Sequence, residues 1–182
     1  KENNWLGEGK RIGLDFELSA ESLSGTLSYN NPNYDFMGNS INYSIISEKN
    51  EKPDQGYENT INTARIGTSF EQYRNVDVNL GLNASYDDLR TDGSASASLK
   101  KQSGSFSELS GDYGFTYDQR NRAFKPTSGS IVSFGQSLPI YAEKSFIANT
   151  FRTSRYKTLN ENIIGSTKFL ISSINGIGSD NV

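Results

Sequence analysis

The sequence predicts an all-β chain, read best as an incomplete antiparallel transmembrane β-barrel contributing about nine strands. Three observations carry this. Apolar and polar residues alternate at period two along most of the chain, as at Ile12, Leu14, Phe16 and Leu18 against Arg11, Gly13, Asp15 and Glu17. Side chains point to opposite faces along a strand, so each segment has one apolar and one polar side. Only 34% of residues are hydrophobic, with a mean hydropathy of -0.63, yet there are 10 Tyr and 10 Phe. Such a chain is too polar for an ordinary core and too aromatic for disorder. Finally, the links between segments read as alternately compact and long, the pattern of a membrane barrel with turns at one rim and loops at the other.

The elements follow in order. Asn4 to Gly9 reads as a turn, with two glycines and the single Trp5, before the strand Arg11–Ser19. After Ala20-Glu21, Leu23, Gly25, Leu27 and Tyr29 share a face, and Asn31–Asn39 turns the chain at Pro32 and Gly38. Ile41, Tyr43 and Ile45 alternate next, and Ser47–Gly56, charged and carrying Pro53, reads as a solvated loop. Thr60–Tyr73 is a strand, Arg74-Asn75 a tight return, and Val76–Tyr86 the cleanest alternation in the chain. Asp87–Ser105, rich in Ser and Ala, has no clear period.

Gly111–Leu138 reads as strand, turn and strand. Tyr113, Phe115 and Tyr117 share one face of the first limb; Val132, Phe134 and Leu138 share one face of the second. Between them lies Asp118 to Gly129, with the Pro126 and Gly129 that stop a strand and reverse it. Pro139–Lys144 reads as a loop, Ser145–Lys157 as a weakly patterned strand, Leu159–Asn162 as a turn, and Ile163–Ile171 as the last strand. Each strand is expected near the ~9–11 residues that cross a bilayer when tilted.

Alternation alone leaves two arrangements open. In a barrel, Ile12, Leu14, Phe16, Val78, Leu80, Leu82, Phe115 and Phe134 face lipid while Asp15, Glu17, Arg65, Asp112 and Asp118 face the lumen. In a soluble sandwich the same apolar side chains meet inside a core, giving an all-β binding module. Aromatic residues near strand ends, among them Trp5, Tyr29, Tyr34, Tyr73, Tyr86 and Tyr117, favour the barrel, because such rings prefer membrane interfaces.

Composition narrows the chemistry. There is no His and no Cys, which removes imidazole bases, thiolate zinc sites and disulfides. Net charge is -3, so no basic surface argues for nucleic acid. Asp87-Asp88 with Asp92-Gly93 fails the spacing of a calcium loop, and Gly176 to Asp180 reads as a strand-end loop. The chain is expected not to be an enzyme and to need no cofactor or metal.

Tyr117-Asp118-Gln119-Arg120-Asn121, followed by Phe124-Lys125-Pro126-Thr127-Ser128-Gly129, resembles a signature of the outer-membrane assembly and translocation barrels. Within that superfamily it looks most like the BamA assembly factors, where Tyr-Asp-x-Arg-Asp and Pro-Thr-x-Gly frame a periplasmic turn. Asn121 stands where the second Asp is usual. Asn4-Trp5-Leu6-Gly7-Glu8-Gly9 and Leu27 to Tyr34 are similar to two further family motifs, the latter with Asn33 inserted before the aromatic. The turn residues implied are Tyr117, Asp118, Arg120, Pro126, Thr127 and Gly129, with Asp118 and Arg120 expected on one strand face, bracing the wall from inside.

The resemblance implies the following. The chain would be the N-terminal and central part, residues 1–182, of a sixteen-stranded barrel in the outer membrane of a Gram-negative cell. POTRA repeats and the remaining strands, including both seam strands, would lie outside it. Its role would be the structural wall of an insertase that folds and inserts other β-barrels. Its partners would be the lipid bilayer, unfolded outer-membrane proteins and accessory lipoproteins. A secretion barrel of the two-partner type is the alternative within the superfamily.

Overall fold

The computed structural model describes residues 2–5, 7–143 and 145–177. They form one antiparallel sheet of ten strands in strict chain order, not closed on itself. The strands are β1 (Glu2–Trp5), β2 (Lys10–Leu18), β3 (Ser22–Asn31), β4 (Ser40–Lys52) and β5 (Tyr57–Tyr73), then β6 (Val76–Thr91), β7 (Gly104–Asp118), β8 (Gly129–Ala142), β9 (Phe146–Asn160) and β10 (Ile163–Gly176). Each packs essentially on its chain neighbours, so there is no second layer to make a sandwich.

Register confirms the two faces. Leu14 pairs with Leu27, Leu27 with Ile45, Ile45 with Ala64, Ala64 with Ala84 and Ala84 with Leu109. One row nearer the β3–β4 turn, Ile12, Tyr29, Tyr43, Ile66 and Leu82 align in the same way. Directly paired residues share a face. All eight residues expected to face lipid therefore lie on one side, and all five expected to face the lumen lie on the other.

Burial runs opposite to that of a water-soluble protein. Leu14 is 56% exposed and Phe16 76%, and Leu80, Leu82 and Phe115 are also exposed. Among the described residues only Val78 and Ala95 are buried apolar ones, whereas Asn31, Ser110 and Ser154 are buried polar ones. Along β6 the apolar face is open at Leu82, Ala84 and Tyr86, while Asn83, Ser85 and Asp87 of the polar face are partly covered. The sheet thus curves with its polar side inward. In water, exposing so many large apolar side chains forfeits about 2 kcal/mol each, which a sandwich would recover and this sheet does not.

Several elements differ from the reading of the sequence. There are ten strands, because Glu2–Trp5 pairs with β2 where a turn was expected. Of the three stretches expected as long loops, two are mostly strand and the third is strand at its ends: β4 runs on to Lys52, β8 to Ala142 and β6 to Thr91. The connections left are residues 53–56, 92–103 and 143–145, so loop length does not distinguish the rims. What distinguishes them is overhang. At ~3.3 Å per residue and ~40° tilt, the 17 residues of β5 rise about 40 Å, beyond the ~25 Å apolar band of a membrane barrel. Polar residues on both faces extend the strands there, and backbone pairing needs no alternation. The same holds for β9, whose pairing with β10 is continuous from Ile164 to Gly176 despite its blurred pattern. The vague stretch holds a short helix, α1 (Ala97–Gln102), whose first turn is capped by the Ser96 hydroxyl accepting from the Leu99 amide at 3.2 Å.

Candidate functional site

The residues singled out from the sequence fall into a capped turn, residues 119–128, and the two faces of the sheet. The turn begins where β7 ends. Asp118 accepts Arg120 Nε at 2.9 Å and Arg120 Nη2 at 2.6 Å, and its Oδ1 also takes the Arg120 amide at 3.0 Å. Arg120 Nη1 continues to the Ala123 carbonyl at 3.3 Å. The pair therefore closes within the turn. The expectation that Asp118 and Arg120 share a strand face and brace the wall fails, because the strand stops at Asp118 and the guanidinium folds back on it.

Asn121 is the hub. Its Oδ1 accepts the amides of Thr127 at 3.1 Å and Ser128 at 3.2 Å, and its Nδ2 donates to Thr127 Oγ1 at 2.8 Å. Backbone bonds from Asn121 to Ser128 and from Gln119 to Ser130 fasten the same loop. Gly129 closes it with φ +94°, and a Cβ there would meet the Gln119 carbonyl oxygen at 2.1 Å. No side chain fits. Thr127 contributes its carbonyl to Thr158 Oγ1 of β9 at 3.1 Å, tying the turn to the next hairpin. Tyr117 accepts a hydrogen bond from Gln119. The cap of this turn is Asn121, a position the sequence marked only as a departure from the motif.

On the polar face the five expected residues spread across three strands, β2, β5 and β7. Arg65 donates through Nε to Asn83 Oδ1 at 3.0 Å, and Asn83 Nδ2 reaches the Ser110 hydroxyl at 3.4 Å, linking β5, β6 and β7. Ser110, 1% exposed, and Asn83 had no signal in the sequence beyond their parity. Glycines give this face its floor. Ser28 lies over Gly13, Asn42 over Gly67 and Asn79 over Gly114, each closer than a Cβ would allow. Asp112 stands beside Gly81, its register partner, while Asp15 and Glu17 sit on β2, exposed.

The acidic residues weighed for calcium serve other ends. Asp88 pairs with Arg90 at 2.8 Å and accepts Ser105 Oγ at 2.8 Å. Asp92 accepts the Ser94 hydroxyl at 2.6 Å and amide at 2.7 Å, which hold its carboxyl below the usual carboxylate range. Of the Gly176–Asp180 run, Gly178, Ser179 and Asp180 lie outside the described residues, as does Leu6.

The three stretches that resemble family motifs all belong to one rim. Asn4 Oδ1 accepts the Gly9 amide at 2.7 Å in the β1–β2 turn. Asn31 Oδ1 accepts the Asn33 amide at 3.2 Å at the entry to the β3–β4 turn. The 119–128 turn is the third. The model of the Omp85 superfamily domain matches residues 4–182. The chain belongs to the Omp85 superfamily. Its fold is that of part of an outer-membrane barrel: the crystal structure of BamA from Haemophilus ducreyi lacking POTRA domains 1–3 superposes over 100% of this chain, with a TM-score of 0.80 and 22% identity. The chain covers 38% of that structure. For this Omp85 domain, the soluble sandwich is thereby set aside.

Proposed function

We propose that this Omp85 domain is the supporting wall of an insertase that folds and inserts β-barrel proteins into the bacterial outer membrane. The observation that supports this is the inverted burial: a continuous apolar face open to the surroundings, backed by a polar face with hydrogen-bonded side chains. Hydrocarbon cannot satisfy a backbone group, so a β-structure in lipid must pair every strand and turn its apolar side outward. On this reading Ile12, Leu14, Phe16, Val78, Leu80, Leu82, Phe115 and Phe134 make up the lipid side, with Val78 covered by its neighbours. Asp15, Glu17, Arg65, Asp112 and Asp118 line the lumen, and the rim carrying the 119–128 turn is periplasmic.

The work needs neither catalysis nor cofactor. A rigid wall holds the barrel's shape while a weaker seam elsewhere offers strand edges to an incoming chain. Bilayer thinning next to a short apolar band lowers the insertion cost. The partners would be lipid, unfolded outer-membrane proteins and accessory lipoproteins.

The test uses the full-length protein in liposomes with an unfolded outer-membrane β-barrel as substrate. Faster appearance of the folded, protease-resistant barrel than in empty liposomes supports the reading. Unchanged folding, with passage of a secreted substrate into the vesicle instead, would show a translocation barrel.

A further inference from the structure

The uncharged band on the apolar face is shorter on the β3–β4 hairpin than on β6. On the apolar face of β6 the uncharged band runs from Val76 to Tyr86, and the next residue on that face is Asp88. At ~3.3 Å per residue and ~40° tilt this is about 25 Å, the full apolar height of a membrane barrel. On β3 and β4 the band runs only from Leu23, whose partner is the charged Lys49, to Asn31, whose partner is Ile41. That is about 20 Å by the same measure. Roughly 5 Å is missing, and the turn stands where it is missing.

The β3–β4 turn, residues 32–39, has the composition to fill that gap. Phe36 is 99% exposed, and Met37 and Tyr34 are exposed with it. Its sole charge, Asp35, is used internally. Oδ1 accepts the amides of Met37 at 2.9 Å and Asn39 at 3.1 Å, and Oδ2 accepts Asn39 Nδ2 at 2.7 Å. Burial works against this carboxylate, but the Asn39, Met37 and Gly38 N–H groups outweigh it and hold it below the usual range. The Tyr34 amide bonds the Asn39 carbonyl at 2.7 Å and Gly38 takes φ +81°, so the tip is built rather than loose. Next to it on the apolar face, Tyr29 and Tyr43 pack with ring centroids 6.0 Å apart and planes tilted by 38°, an aromatic row leading to the turn.

We propose that the Phe36–Met37 tip is a membrane-interface anchor that inserts among lipid headgroups on this rim and completes the apolar height of the short hairpin. This rests on the barrel reading above. Apolar tips of this size gain from entering the headgroup and acyl boundary, and a carboxylate already capped by its own loop does not oppose entry.

The test is spin labelling of the full-length protein, in a cysteine-free background, reconstituted in phosphatidylcholine–phosphatidylglycerol vesicles. Three single variants are compared: Met37→Cys at the tip, Leu80→Cys on the apolar face and Gly93→Cys at the opposite rim, where a side chain meets nothing within 4 Å. The label at 37 is expected to collide more with oxygen than with a water-soluble nickel chelate, as at 80, with the ratio inverted at 93. A label at 37 that matches 93 would overturn the anchor. So would one shielded from both relaxers, since protein would then cover the tip. If the label at 80 itself matches 93, the barrel reading fails and takes the anchor with it.

Discussion

Both rims of this sheet have capped turns, but they differ in their ion pairs: Asp118–Arg120 and Lys10–Glu8 stay within one turn at the first, while those of the second also reach between strands. At the rim of the family motifs, each turn is closed by a side-chain oxygen accepting backbone amides: Asn4 to Gly9, Asp35 to Met37 and Asn39, Glu71 to Asn75, Asn121 to Thr127 and Ser128, and Asn160 to Asn162. At the opposite rim charges pair across and along strands, as Lys52 with Glu21, Lys49 with Glu51 and Glu58, and Arg90 with Asp88. Caps satisfy groups that have no other partner in a tight turn. Exposed ion pairs in water compete with solvent and salt. The first rim is therefore the rigid one, and the second the adaptable one.

The sharpest way to break this contrast is Gly129→Ala. A Cβ would strike the Gln119 carbonyl in a left-handed backbone, so the 119–128 turn must open, at a cost of about 3 kcal/mol. Urea unfolding of the full-length barrel in liposomes should show the loss. Asn121→Ala comes next, about 2 kcal/mol, because two amides lose their acceptor. Asn121→Asp should stay within about 0.5 kcal/mol: the carboxylate keeps both amides and the Thr127 hydroxyl can turn to donate.

Gly56→Ala probes the other rim. Gly56 is also left-handed, and its Cβ would meet the Ala95 amide at 2.6 Å. Here the 92–95 segment can swing away, so the expected cost is about 1 kcal/mol, read as faster hydrogen exchange at Asp92 and Ala95 with a smaller drop in the urea midpoint than Gly129→Ala gives.

Lys52→Gln should have a smaller effect still, one that vanishes as salt rises, measured by the same exchange at the tip of β4. The smallest is acidification. Asp92 has its carboxyl lowered in the folded state, so its contribution is complete above the unfolded-state value and fades as pH falls through the folded one. Protection of the Ser94 amide, taken relative to its intrinsic exchange rate at each pH, should fall over that acidic window and hold constant above it.

Much of this was visible in the residues themselves. The parity of Leu14, Leu80 and Phe115 against Asp15, Arg65 and Asp112 is a local property, and the register preserves it. Gly129 and Pro126 marked their turn for backbone reasons alone. The strand overhangs at Lys52, Thr91 and Ala142 were hidden, because a strand in water on both sides carries no alternation to read. Asn121 was hidden for another reason: its partners, Thr127 and Ser128, are brought to it only when the chain reverses.

By itself, then, the order of residues determined that this chain makes two-sided strands, where most of them turn, and which residues travel together on a face. It left open which face looks outward, since a sandwich and a barrel have the same alternation. That was decided by the single curved layer, in which polar side chains lie down over glycines on the concave side. With no second sheet among the described residues to cover them, the apolar side chains meet the surroundings.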